Sequence, residues 1–255
     1  MQLKPTDNKA VRLWRRLLFY HYNCFRKVGT LPCMERQIIP TSDGSLTVAV
    51  PELHVNYHSI HGAIQESVHV YIQAGLNYMM QKLKEDESIS IFEMGFGTGL
   101  NAFLTAIEAG EQQRNINYSS VELHPLPDTE ISLLNYTDIL GRKELFQQLH
   151  QVAWNENSKV TEYFTLNKQQ VNLAELHCDQ KFHVVYYDAF APTAQPELWT
   201  IDLFEKLYNM LLPGGILVTY CSKGNVRRAM QAAGFHVEKL PGPKWKREMV
   251  RAGVC

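Results

Sequence analysis

The chain has 255 residues, 45% hydrophobic and 20% charged, which is ordinary for a globular protein long enough to bury a sizeable core. No run approaches the roughly 18 uninterrupted apolar residues of a membrane span, and the start lacks a secretory leader's apolar core. The net charge of −1 conceals basic ends: residues 1–37 carry eight Lys/Arg against Asp7 and Glu35, and residues 223–251 carry eight against Glu238 and Glu248. Such ends suit a polyanion approaching one side, or simply solvated helix faces. Cys24, Cys33, Cys178, Cys221 and Cys255 are scattered and never form Cys-x-x-Cys. That argues against a disulfide framework or a zinc site and fits a reducing cytoplasm.

Residues 1–33 read as a basic N-terminal extension, in which "AVRLWRRLLFYHYNCF" has the spacing of an amphipathic helix. Met34 is a second candidate start, and residues 34–255 read as one domain. "MERQIIPTSDGSLTVAVPEL" predicts two strands around the turn "TSDGS". His54, His58, His61 and His69 crowd one stretch without a cysteine or carboxylate pattern, so ordinary polar roles are expected and no metal. "SIHGAIQESVHVYIQAGLNYMMQKL" has helical spacing, with Gly75 allowing a break. Residues 34–85 thus supply a hairpin and a helical segment on the substrate side.

Strands and helices then alternate. "SISIFEMG", "INYSSVEL", "TEYFTL", "KFHVVYYDAF" and "ILVTYC" read as strands, and two more follow in "FHVEKLPG" and "KREMVRAGV". Helical material lies between them: "LNAFLTAIEAG", "ISLLNYTDILGRKELFQQLHQVAW", "PELWTIDLFEKLYNMLLPGG" (stopped by Pro213-Gly214-Gly215) and "NVRRAMQAAG". The pattern predicts an α/β, Rossmann-like domain: a mostly parallel seven-stranded sheet with helices on both faces.

In such folds ligands sit beyond the C-terminal ends of the strands. "FEMGFGTGLN" occupies that end of the first strand, with Gly95, Gly97 and Gly99 spaced G-x-G-x-G between Glu93 and Asn101. A dinucleotide fingerprint is G-x-G-x-x-G, so a dehydrogenase is disfavoured and S-adenosylmethionine is the expected cofactor. Its amino-acid tail and ribose would lie on bare backbone, with Glu93 receiving the ammonium group. Glu122, at the end of the second strand, suits two ribose hydroxyls. Asp188 emerges at the tip of the fourth strand, with Phe190 and Pro192 as an apolar wall. A carboxylate there would bind and orient an amine for methylation.

"YHSIHGAIQESVHVYI", "FEMGFGTGLN", "DAFAPTAQPELWT", "LLPGGILVTY" and "RRAMQAAGFHVEKLPGPKWKREM" together resemble the methyltransferases of tRNA 5-methylaminomethyl-2-thiouridine biosynthesis, from about residue 35 onward. The resemblance implies a class I S-adenosylmethionine-dependent enzyme that methylates the exocyclic amine of 5-aminomethyl-2-thiouridine at the tRNA wobble position. It also implies a stand-alone form without the FAD-dependent oxidase domain, relying on other enzymes for its substrate. Glu93, Gly95, Gly97, Gly99 and Asn101 match the cofactor turn, Glu122 the ribose acid and Asp188 the catalytic aspartate. Tyr57, Ser59, Gly62 and Glu66 match the segment covering the site, and Lys246 and Arg247 the basic ending. Relatives carry Gly-Asp near the adenine where this chain has "LNKQQVNL", so Gln170 is expected to take that place. Lys223, Arg227, Arg228, Lys244, Lys246 and Arg247 are expected along the anticodon arm, and Trp199 and Trp245 are candidates for base stacking or buried packing. Two alternatives remain: a transferase acting on a small free amine, as spermidine synthases do, and a non-catalytic RNA-binding domain.

Overall fold

The computed structural model describes residues 35–255; the expected extension at 1–33 and its basic helix lie outside the described residues. The "TSDGS" turn joins β1 (Gln37–Pro40) to β2 (Leu46–Val50), as the sequence pattern predicts, and β3 (Val55–Asn56) completes a small antiparallel sheet. Asp43 ties the turn together by accepting from the Thr41 hydroxyl (2.8 Å) and the Ser45 amide (3.0 Å), as turn aspartates do.

Helix α1 begins at Ala63–Ser67, continues through a π-helical stretch Val68–Asn77 and ends at Tyr78–Met80. Gly75 does not break it. A Cβ there would lie 3.0 Å from Tyr186 and 3.1 Å from Val218, so glycine lets the helix lie close on the sheet.

The main sheet has eight strands rather than seven. They are β4 (Ile89–Met94), β5 (Ile116–Val121), β6 (Asn157–Lys159), β7 (Phe164–Gln169), β8 (Phe182–Tyr187), β9 (Leu211–Thr219), β10 (His236–Pro241) and β11 (Glu248–Gly253), in the order β10-β11-β9-β8-β4-β5-β7-β6. The extra strand is β6, three polar residues paired antiparallel to β7 at the edge, too short for the sequence pattern to reveal. Strands β9, β8, β4, β5 and β7 are mutually parallel, with antiparallel pairs at both margins. Parallel strands are covered on both faces, which is why β4 and β8 read as nearly continuous apolar runs. Val184 and Tyr186 of β8 enter the core under α1, and Val185 and Tyr187 enter the opposite one. Each such side chain contributes roughly 1.5–3 kcal/mol by burial.

Between the strands run α2 (Leu100–Glu111), three short helices α3 (Asp128–Ile131), α4 (Tyr136–Leu140) and α5 (Lys143–Gln151), then α6 (Ile201–Met210) and α7 (Gly224–Ala232). The long helix expected from Ile131 to Trp154 is broken before Lys143, where Gly141 (φ +70°) and Arg142 (φ +59°) take left-handed conformations. Pro213-Gly214-Gly215 does not stop α6, which ends at Met210. The triplet lies inside β9, where the pairing with β8 shifts register and Gly214 turns to φ +75°. The third strand extends beyond "TEYFTL" to Gln169, because Lys168 is buried within it at 1% exposure. Its ammonium donates to Leu149 O (2.9 Å) and His150 O (3.0 Å) at the C-terminal end of α5, which attracts cations.

The chain leaves β4, winds outward through β5 and β7, and returns to the other side of β4 as β8. The reversal falls between β4 and β8, the switch point at whose C-terminal strand tips such sheets carry their ligand crevice.

Candidate active site

The glycine turn leaves β4 and enters α2 with Gly95, Gly97 and Gly99 at φ +91°, +50° and +72°. These angles strain any other residue, and the space is also taken. A Cβ on Gly95 would meet Asp188 O at 3.1 Å, and one on Gly97 would meet the Tyr57 ring at 3.1 Å. The result is a strip of backbone without side chains between the tips of β4 and β8, half-buried at Gly95 and Gly97 and buried at Gly99.

Glu93 lies beneath this strip, 0% exposed. Its Oε2 accepts the Ser120 hydroxyl at 2.8 Å, and the neutral donors Asn101 and Tyr118 also act on the carboxyl. Burial pushes its carboxyl up to about 8. A fully buried carboxylate with only neutral donors around it is costly, and a ligand ammonium group would offset that cost. Glu122, one residue past β5, accepts from Gly97 N (3.1 Å) through Oε2 and from His124 N (2.8 Å) through Oε1. Gln170, one residue past β7, is exposed, with its amide bonded to Asn155 Oδ1 (3.1 Å).

Asp188 follows β8, its amide bonded to Met94 O (3.1 Å). Its Oδ1 accepts the Tyr71 hydroxyl at 2.6 Å and its Oδ2 accepts Asn101 Nδ2 at 2.8 Å. Asn101, assigned by its motif to the cofactor, thus turns its amide nitrogen to Asp188, while its buried Oδ1 has no donor. Burial raises the Asp188 carboxyl to about 7 against the opposing pull of the Tyr71 hydrogen bond.

The segment after β3 walls this crevice. Tyr57 stands edge-on to Phe190, centroids 5.0 Å apart, and burial with the charge of Glu122 pushes its phenol up to about 12. Glu66 Oε2 accepts from the Ser59 amide (3.0 Å), and burial holds its carboxyl above the usual range. Lys246 and Arg247 separate. The Lys246 ammonium lies 4.5 Å from the Tyr220 ring centre and is pulled below its usual range by burial, with Glu66 and Asp188 opposing; Arg247 is exposed. Gly62, at φ +147°, packs against Asp43 rather than the crevice.

Trp199 is buried, its indole donating to Phe190 O (2.8 Å), so it braces the wall instead of offering a stacking face. Trp245 is half-buried beside His61 (centroids 5.7 Å apart) and lines a groove of about 300 Å³ with Ile64, Val68 and Lys244. The histidines disperse: His58 is buried against Thr98 Oγ1 (2.7 Å) and pushed down to about 4 by burial, and His69 bonds Pro241 O (2.9 Å). Tyr71, Ser120 and Tyr220 carried no signal in the sequence. Each reads as ordinary helix or strand filling; packing brings Tyr71 of α1 to Asp188 and Ser120 of β5 to Glu93, while Tyr220, just past β9, donates to Ala189 O (3.0 Å) beside Asp188.

Residues 135–254 match the model of a family described as S-adenosyl-L-methionine-dependent methyltransferase. The chain is 31% identical over 210 residues to a tRNA 5-methylaminomethyl-2-thiouridine biosynthesis bifunctional protein MnmC of Pseudomonas savastanoi pv. phaseolicola, covering 76% of this chain and 31% of that protein. With the Nitrosospira multiformis protein of the same name it is 31% identical over 214 residues, covering 78% of this chain and 34% of that one. The chain therefore spans about a third of the length of these curated relatives. The crystal structure of MnmC2 from Aquifex aeolicus superposes with a TM-score of 0.73 at 26% identity, over 88% of this chain and 71% of that one. Spermidine synthase of Thermotoga maritima shares the fold alone (TM-score 0.53, 13% identity, 89% of this chain and 70% of that one). With a glycine turn over a buried carboxylate at the sheet's switch point, the chain has the Rossmann-like fold of class I S-adenosyl-L-methionine-dependent methyltransferases and is homologous to about a third of the length of the MnmC proteins.

Proposed function

We propose that the chain methylates the exocyclic amine of 5-aminomethyl-2-thiouridine at the wobble position of tRNA, giving 5-methylaminomethyl-2-thiouridine. The observation that carries this reading is Asp188: a half-buried carboxylate beside the glycine turn, with both oxygens held by neutral donors. When bound, S-adenosylmethionine supplies an electrophilic methyl carbon on a sulfonium. Glu93 receives its ammonium group, Glu122 its ribose hydroxyls and Gln170 its adenine edge, while Gly95, Gly97 and Gly99 keep side chains out of the way.

An alkyl amine is mainly protonated near neutral pH, so the site must attract the cation and then expose a lone pair. Asp188 does the first by charge. With its carboxyl raised to about 7, it is also matched to holding the proton that the amine gives up. Holding the nitrogen in line supplies on the order of 7–11 kcal/mol of barrier reduction. Tyr57 and Phe190 form the apolar side of the acceptor site, Ser59 and Glu66 its rim, and Lys246 reaches it from the β10–β11 loop. Arg247, with Lys223, Arg227, Arg228 and Lys244, offers charge to the anticodon-arm phosphates. A tRNA substrate implies a cytoplasmic enzyme supplied with aminomethyl-uridine by earlier catalytic steps. Among the described residues no helix is long and apolar enough to cross a membrane.

The test is to incubate the protein with labelled cofactor and tRNA lacking the final methyl, digest the tRNA, and identify the labelled nucleoside by mass spectrometry. The same label on free nucleoside or polyamine, at equal efficiency, would favour a small-amine transferase. Asp188→Ala should bind S-adenosylmethionine nearly as well and turn over orders of magnitude more slowly; an unchanged rate removes Asp188 from the chemistry.

A further inference from the structure

Each oxygen of the Asp188 carboxylate is held by one donor, from opposite sides of the crevice. Asn101 comes from the first turn of α2, and Tyr71 comes from the π-helical stretch of α1, a segment that lies outside the sheet. Tyr71 is 1% exposed and its ring packs on Tyr186 of β8, centroids 5.2 Å apart, so its hydroxyl cannot swing away to another partner. Widened π turns shift side chains around the helix axis and recur at functional sites. Here the stretch brings a phenol to the oxygen facing away from Asn101. Because the Asp188 backbone is also fixed by Met94 O and lies against Gly95, the carboxylate has one orientation.

We propose that Tyr71 is a positioning residue for methyl transfer: its hydroxyl, held on Asp188 Oδ1, keeps the carboxylate in the form that receives the acceptor amine. The inference rests on Asp188 being the group that receives the amine. The surroundings make the Tyr71 hydrogen bond matter. Asp188 feels Glu66 and Tyr71 from α1, Glu93 from β4, Tyr118 from β5, Tyr220 beyond β9 and Lys246 from the β10–β11 loop. Lys246 is the one cation in that set, and burial and Glu66 both favour the neutral carboxyl. The Tyr71 and Asn101 donors, with Lys246, oppose them. Tyr71 itself stays a proton donor, because burial and the Asp188 charge hold its phenol well above the usual range.

The experiment is the pH dependence of kcat/KM for methylation of hypomodified tRNA by wild type and Tyr71→Phe. The variant keeps the ring on Tyr186 and removes one hydrogen bond. Its lowest-pH limb should move up by about one unit, a roughly ten-fold loss at pH 6 that narrows to within about two-fold above pH 9. The amine's own titration is common to both enzymes and cancels in the comparison. A fluorinated tyrosine at position 71, a stronger donor of similar size, should move the limb the other way, which keeps the test open should the Phe variant fold poorly. Superimposable profiles for both substitutions, or a loss uniform across pH, would overturn the proposal. If Asp188→Ala is itself fully active, the functional reading fails instead; if Asp188→Ala is dead and both Tyr71 profiles match wild type, only the role of Tyr71 fails.

Discussion

The Glu122 carboxylate bridges two strand tips, accepting the Gly97 amide at 3.1 Å through one oxygen and the His124 amide at 2.8 Å through the other. It is thereby fixed one residue beyond β5, beside the glycine strip, with acceptor capacity left on each oxygen for hydroxyl donors. Glu122→Ala should weaken S-adenosylmethionine binding by about ten- to a hundred-fold, the range of one or two hydrogen bonds to a charged group. Isothermal titration calorimetry reads this directly, and an unaltered Kd would remove Glu122 from the ribose site.

With Glu93 as the proposed ammonium site, cofactor binding becomes a protonic event. In the free protein its carboxyl is raised to about 8 by burial, from 4.5, so near pH 7 the folded state holds a proton that an ammonium ligand would displace. Binding at pH 7 should release up to about one proton, seen as a calorimetric enthalpy that varies with the buffer's ionisation enthalpy. The sign for stability follows. A raised acid contributes most below 4.5, and the contribution is lost as pH rises through about 8. Glu93→Gln should therefore flatten the ligand-free protein's stability curve between those values and abolish the proton release. A wild-type enthalpy independent of buffer contradicts an ammonium site at Glu93.

Gly75 separates helix propensity from packing. Alanine would favour the helix by about 1 kcal/mol. Its methyl would also press on Tyr186 and Val218, both 0% exposed and unable to yield cheaply. Overpacking costs about 1–3 kcal/mol, so Gly75→Ala should lower net stability and the melting temperature without altering cofactor affinity. A higher melting temperature would mean that α1 can lift from the sheet.

Lys246 and Arg247 are neighbours with different surroundings, one over Tyr220 and the other in solvent. Arg247→Ala should weaken tRNA binding and reduce the slope of log K against log salt by about 0.7–0.9, the signature of one lost phosphate contact. Lys246→Ala should instead depress turnover on bound tRNA, because it removes the cation nearest Asp188. Equal effects of the two substitutions on both measurements would contradict this division.

The placement of the glycine turn, Glu93, Glu122 and Asp188 at strand ends was legible, because a strand's end is a local property of apolar patterning and glycine spacing. The same patterning marked the β1–β2 hairpin and the alternation that requires a parallel sheet. It misplaced Gly75 and Pro213-Gly214-Gly215, whose local signal is a break. Close helix–sheet approach occupies the first, and a bulge opposite β8 absorbs the second. Strand β6 was invisible because three polar residues at a sheet edge have no periodicity to read.

By itself, the sequence determined the fold class and the strand tips at which chemistry is placed. Only the tertiary structure decided what holds the chemistry in place: Tyr71 on Asp188 from 117 residues away, Ser120 under Glu93, and Lys246 turned inward while Arg247 turns out. The reason is physical. Apolar periodicity and glycine angles act over a few neighbouring residues, whereas a side-chain hydrogen bond joins whichever groups the packed helices and strands bring within about 3 Å.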